Sequence, residues 1–328
     1  MTESSSTRRR WLLWAIRLLI LAAVVAGVSG TFHAAAAHLA DHEWRLRPAW
    51  LAASGAAYIA GLAAMAWFWR RALAALGQPV PWPPSLRAYY LGHLGKYAAV
   101  KALVVVLRVG AIRPLIRSVW LTVVSTLLET MIMMAVGASL AAVLASVSLR
   151  LETRLTILAA ASAVLIILPT LPPIVRRIAR RGLLRFRLPS GDSMNFAPTA
   201  AELDQAVERV TWQLWATGVL ASAVCWILLG LSLWAALRAI GIDDLEPLAD
   251  LPLFVGAVSL AVVGGFVSLL PGGLVVRDAL LMQILAPVCG EANALVAAVL
   301  LRIVWLVSEV VACGILYGAD YLGRPSPP

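Results

Sequence analysis

The chain has 328 residues, 61% of them hydrophobic, with a mean hydropathy of +0.87 and a formal net charge of +10 at pH 7. So apolar a composition excludes an ordinary soluble domain. The cations lie between apolar runs and not on one soluble face, so the charge reads as the positive-inside bias of a membrane protein and excludes a nucleic-acid-binding one.

Residues 1–10 are polar and end in Arg8-Arg9-Arg10; an apolar run follows over 11–32. It is longer than a signal-peptide core, so it reads as a retained first helix starting in the cytoplasm, with 33–48 outside. A cleavable signal with a site near 34–37 is the alternative. A second span covers 49–69 and ends at Arg70-Arg71, with Trp67 and Trp69 at the level of an interfacial aromatic belt. Pro79, Pro81, Pro83 and Pro84 predict a loop, and Ser85 is a candidate N-cap for the next helix.

The stretch 86–113 is mostly apolar but carries Arg87, His93, Lys96, Lys101 and Arg108. On a helix, Lys101 and Arg108 lie within about 20° of each other and Lys96 about 140° from Lys101. His93 and Tyr97, one turn apart, share a face. The run 102–107 is too short to cross a bilayer. An amphipathic interfacial helix and a re-entrant segment both fit.

A long span over 118–147 contains Glu129, which has no adjacent partner in sequence and is expected to face the bundle interior and pair with a cation. A fourth span, 155–171, is closed by Pro172-Pro173. The largest polar loop, 176–210, carries Arg176, Arg177, Arg180, Arg181, Arg185 and Arg187 and reads as cytoplasmic. Thr199 and Glu202 have capping-box spacing. A fifth span covers 212–237. The loop 241–250 holds four acids and no Lys or Arg, as an outside loop should; Asp243-Asp244 is a weak metal signal, and no metal is expected.

A sixth span, 251–270, carries Gly256, Gly264 and Gly265, which permit close helix approach. It is broken by Pro271-Gly272-Gly273-Leu274-Val275-Val276-Arg277-Asp278. Proline lacks the amide hydrogen a helix interior needs and glycine frees the backbone. Broken backbone and ionisable side chains at membrane depth survive only where protein or a wet cavity satisfies them, so this stretch predicts a lined chamber. A surface turn is the plainer reading. After a short run over 279–288, the last span, 292–317, carries Arg302 and Glu309, seven residues apart on one face and expected to pair. Cys225, Cys289 and Cys313, in or beside apolar runs, read as small buried hydrophobes.

At 271–278 the sequence resembles the lysylphosphatidylglycerol synthase transmembrane region family, whose members tend to carry Pro-Gly-Gly-x-Gly-x-Arg-Glu. Pro271, Gly272, Gly273 and Arg277 match; Val275 replaces a common Gly and Asp278 the usual Glu. A second match is Leu94-Gly95-Lys96-Tyr97 followed by Lys101 and Arg108, with Ala99 and Val100 where members often carry Pro-Gly to break the helix. The resemblance implies a flippase-like membrane region, with aminoacyl transfer belonging to a separate soluble domain outside these residues. Enzyme activity is accordingly not the leading expectation.

The expected architecture is an all-α polytopic bundle of about eight membrane elements with two re-entrant or broken segments, as a single domain: an N-terminal half 1–173, a basic cytoplasmic loop 174–211 and a C-terminal half 212–328. Two interrupted, charge-bearing segments in opposite halves follow the repeat logic of transporters. The expected function is binding and translocation of an anionic phospholipid or lipid-linked head group in the cell (inner) membrane, with no cofactor. Lys96, Lys101, Arg108 and Arg277 would hold the phosphate. Glu129, Asp278 and Glu309 would neutralise them, with Arg302 on Glu309 and His93 and Tyr97 in the lining. The rival readings are a membrane-embedded transferase using Asp243, Asp244 and Glu246, and a scaffold for a membrane enzyme partner. A homo-oligomer is compatible with each.

Overall fold

The computed structural model describes residues 46–97, 102–148, 153–185, 200–268, 270, 273 and 275–322. The apolar run 11–32 and the residues Lys101, Pro271 and Gly272 lie outside the described residues. The fold is all-α, with no strand among the described residues.

Two 28-residue helices form the spine: α1 (Pro48–Ala75) and, numbered in chain order, α8 (Trp212–Ala239). At 1.5 Å per residue each is about 42 Å long, enough to cross a hydrocarbon core of ~30 Å. They run antiparallel in a fixed register. The Arg47 amide donates to the Ala239 carbonyl (2.9 Å) and Ser54 Oγ to the Ser232 carbonyl (2.8 Å). A Cβ on Gly61 would stand 3.3 Å from the Cys225 carbonyl, and Gly218 lies under the Phe68 ring. Each contact is seven residues from the last on both helices, the 3.5-residue repeat of a coiled-coil seam. Small residues at the seam let the backbones approach, as membrane helices require. At one end of the seam Arg47 grips Asp243 with two 2.8 Å hydrogen bonds, and Arg238 reaches the same carboxylate at 3.2 Å. The Arg47 hydrogen bond holds the half-exposed Asp243 carboxyl below its usual range.

The other long helices are α4 (Val119–Ser148) and α11 (Glu291–Leu322). These four are long and apolar enough to cross a membrane; α5 (Thr153–Ile167), bent by 54° at residue 171 into α6 (Pro172–Arg185), adds a fifth if the pair is one span. Their outward faces are apolar and exposed, as at Leu220, Val224 and Ile227 on α8 and Val307, Val311 and Ile315 on α11. Charged Arg108, Glu129, Arg277, Asp278, Arg302 and Glu309 are buried. That is the reverse of a water-soluble protein and fits a lipid solvent. The stretch 176–210, expected as a loop up to a helix opening at Thr199, contains most of α6 as well, while α7 (Ala200–Glu208) starts where the capping-box spacing puts a helix, and Arg176 closes the stretch by donating to the Val210 carbonyl at 2.7 Å.

Between the long helices lie two helical hairpins. In the first, α2 (Trp82–Leu94) runs into a 3₁₀ turn (Gly95–Tyr97) and returns as α3 (Leu103–Ile112). The break exists although Ala99 and Val100 replace Pro-Gly. A Cβ on Gly95 would stand 2.8 Å from the Val104 amide nitrogen, so the legs close on a glycine. The hairpin enters and leaves at one end of the bundle: Arg70 donates to the Val80 carbonyl at its start, and the Ser118 amide donates to Gln78 at its exit. The proline loop is shorter than expected. Pro83 and Pro84 sit in the first turn of α2, where a missing N–H costs nothing, and Ser85 donates to the Pro81 carbonyl without capping the helix. In the second hairpin α9 (Leu251–Val267) returns as α10 (Val276–Cys289), with Gly265 against Gly273.

The order long helix, hairpin, long helix therefore occurs twice. Packing follows it: α4 packs on α9 as α11 packs on α2, and α4 on α8 as α11 on α1. Because α1 and α8 are antiparallel, the two halves form an inverted pair.

Val275 has φ 67° and ψ −57°, which no β-branched residue favours, and its side chain is exposed. Such strain costs about 1–3 kcal/mol, more than glycine's added chain entropy of ~0.5–1 kcal/mol. Val275→Gly is therefore expected to raise the thermal unfolding temperature in detergent; a lowered one would contradict this backbone.

Candidate functional site of buried cations between the hairpins

The first hairpin carries two polar clusters. Toward its return leg, Arg108 on α3 pairs with Glu129 on α4 at 2.8 Å, and Tyr89 on α2 donates to the other Glu129 oxygen at 2.8 Å. The guanidinium lies 4.0 Å from the Tyr89 ring centroid and 5.1 Å from that of Trp69. Arg108 and Glu129 are each 2% exposed. So dry a site favours an ion pair whose other donors and acceptors are satisfied; here Tyr89 serves the second Glu129 oxygen, while Arg108 Nε has no hydrogen-bond partner among the described residues. Trp69, expected in an interfacial belt, is instead fully buried and donates to Thr126 Oγ1; Trp67 is the exposed one, with Arg71 stacked on it. His93 stacks on Tyr89 at 5.4 Å, next to this cluster, while Tyr97 lies in the other, so the face expected for the two is divided.

The second cluster sits at the hairpin's tip. Glu309 on α11 accepts from both Tyr58 Oη on α1 and Lys96 Nζ in the 3₁₀ turn, and Lys96 also reaches Tyr58 Oη at 2.8 Å. Tyr58 stacks flat on Trp305, 4.4 Å and 10° apart. Trp305 donates to Ser232 Oγ, which ties the cluster to the α1–α8 seam. The other face of the cluster comes from the second hairpin. Arg277, at the start of α10, places its guanidinium 4.3 Å from the Trp305 ring centroid, and the neighbouring Asp278 takes Arg302 at 2.8 Å. The expected Arg302–Glu309 pair is thus replaced by two others, Arg302–Asp278 and Lys96–Glu309. Residues 302 and 309 do share a face of α11, but different hairpins meet that face at its two ends.

Arg277 is 7% exposed and makes no hydrogen bond or salt bridge to any described residue. Nearby, Tyr97 Oη, Glu309 Oε2 and Arg302 Nε are buried without a hydrogen-bond partner among the described residues. Around the tip, among the described residues, the cations Lys96, Arg277 and Arg302 face the carboxylates Asp278 and Glu309, which leaves one positive charge in excess. Of the expected site residues, Lys96, Tyr97, Arg277, Asp278, Arg302 and Glu309 come together here; Arg108, Glu129 and His93 form the neighbouring cluster. Gly273, with φ 66°, makes the closing turn of the second hairpin. Tyr58, Tyr89 and Trp305 were not legible as site residues. For each, the one sequence signal is a ring with a polar hydrogen inside an apolar stretch, since a tyrosine hydroxyl or a tryptophan N–H needs a partner there.

A family model described as the lysylphosphatidylglycerol synthase TM region matches residues 14–312, a segment that contains both clusters. The chain belongs to this family. Among curated proteins none matches it. It is therefore a membrane protein of a lipid-related family.

The Arg108–Glu129 pair gives a stability test. Arg108→Met leaves a buried carboxylate unpaired and is expected to cost about 3–5 kcal/mol, whereas the Arg108→Met, Glu129→Leu double variant regains most of it. Thermal unfolding of the purified variants checks this. A double variant as unstable as the single one would show that the pair is not the unit of stability.

Proposed function

We propose that the protein binds the head group of an anionic membrane phospholipid in the chamber at the hairpin tips and carries it across the cell (inner) membrane. One observation carries this reading: Arg277 is a buried guanidinium with no salt bridge or hydrogen bond to any described residue. An unmatched cation at membrane depth is costly unless a counter-ion visits it. A phosphate suits the guanidinium's planar fork of donors, which makes no hydrogen bond to a described residue while its carbon lies 4.3 Å over the Trp305 ring. On this reading the two hairpins are re-entrant segments, one from each side, that with the spans make about eight membrane elements. The basic stretch 174–211 lies in the cytoplasm. The inverted halves supply the two related arrangements that alternating access needs. The transferase reading is less well supported, because Arg47 and Arg238 already occupy Asp243, one of its candidate acids.

The test is dithionite bleaching of fluorescent phosphatidylglycerol in liposomes containing the purified full chain. Wild-type protein is expected to speed its exchange between leaflets. Arg277→Ala is expected to lose about tenfold or more, the loss of a charged hydrogen bond of ~1.5–3 kcal/mol. Equal rates for the two would overturn the reading. Activity lost on replacing Asp244 and Glu246 but kept in Arg277→Ala would favour the transferase.

A further inference from the structure

Why Arg277 lacks a counter-ion is the next question, since Asp278 follows it directly in sequence. The structure answers through α11. Arg302 takes both oxygens of Asp278, at 2.8 and 3.0 Å. One turn on, Trp305 carries the Arg277 guanidinium at 4.3 Å, and a turn further Glu309 is taken by Lys96 and Tyr58. Residues 302, 305 and 309 are spaced three and four apart, so a single face of α11 sorts the charges of both hairpins. Both carboxylates near Arg277 are thereby engaged elsewhere.

Resting on the proposed function, we infer that Arg302 is a positioning residue: by holding Asp278 it keeps the neighbouring Arg277 from pairing within α10 and leaves that guanidinium open to the lipid phosphate. Arg302 does not itself touch the ligand. Without it, the Asp278 carboxylate beside Arg277 in sequence is released, and a charge pair inside the protein competes with the ligand. Asp278 and Arg302 are a coupled unit, and binding follows the number of free carboxylates beside Arg277.

The experiment measures binding of a short-chain fluorescent phosphatidylglycerol to the purified full chain in neutral detergent, by polarisation, for four variants. Arg302→Gln is expected to weaken binding by about tenfold, as the loss of one charge-assisted contact does. Adding Asp278→Asn to it is expected to restore affinity to near the wild-type level. Asp278→Asn alone is expected to bind at least as tightly as wild type, with a steeper fall in affinity as salt is added, because the chamber gains a net charge. A merely structural ion pair predicts the opposite for the last variant, since it too breaks the pair. The inference is overturned if Arg302→Gln binds like wild type, if the double variant stays weak, or if Asp278→Asn binds more weakly than wild type. Arg277→Ala separates the two levels: if it binds like wild type, the chamber reading falls; if it loses binding while Arg302→Gln does not, only the role of Arg302 falls.

Discussion

A charged group inside a bilayer has to be matched, and the way this bundle distributes its matches shapes everything else. Glu129 is matched by Arg108, Glu309 by Lys96 and Tyr58, and Asp278 by Arg302. Each pair joins a hairpin to a long helix, two of them to the helix that follows in the chain and the third, Lys96–Glu309, across 213 residues, so the pairs add to the apolar packing that seats the hairpins. Arg277 is left over, stacked on an indole. The same pairing that holds the hairpins in place leaves Arg277 without a salt bridge among the described residues, and the proposed anion binding rests on that.

The two halves share their arrangement but not their chemistry. Where α1 meets α11, the interface holds Tyr58 and Glu309. Where α8 meets α4, at the related place, Trp226 lies over Gly137 and donates to the Met133 carbonyl at 3.0 Å. One interface is built to hold charge and the other is filled by a ring. A Cβ on Gly137 would fall on that indole, so glycine is required there by packing and not by backbone conformation. The halves are thus alike in helix order and packing and distinct in charge, and the cluster at the hairpin tips has no counterpart at the α4–α8 interface.

Much of this was legible in the sequence. Four of the spans follow from run length, the second break from Pro271-Gly272-Gly273, and the need of Glu129 for a cation from the cost of a lone acid in a bilayer; the run 251–270, expected as a sixth span, is instead the 17-residue first leg of a hairpin, Leu251–Val267. The first break also stands, though Ala99 and Val100 lack the residues expected to cause it; Gly95, which lets the legs close on Val104, is its sequence trace. Other features were hidden for definite reasons. A helical wheel compares positions on one helix, so it paired Arg302 with Glu309 and was blind to Asp278 and Lys96 arriving from other elements. Pro83 and Pro84 are helix breakers only in a helix interior, and they fall in a first turn. Trp69 looked interfacial because tryptophan at the end of a span usually is; its indole N–H instead found Thr126 in the bundle.

The central claim is that the chamber is completed by an anionic lipid, and the lipid that travels with the purified protein tests this most directly. Head groups extracted from wild-type protein after mild detergent purification should be enriched in anionic phospholipid relative to the membrane of origin, with that enrichment gone when Arg277 is replaced by alanine. Co-purified lipids that mirror the bulk membrane, equally in both proteins, would contradict the account.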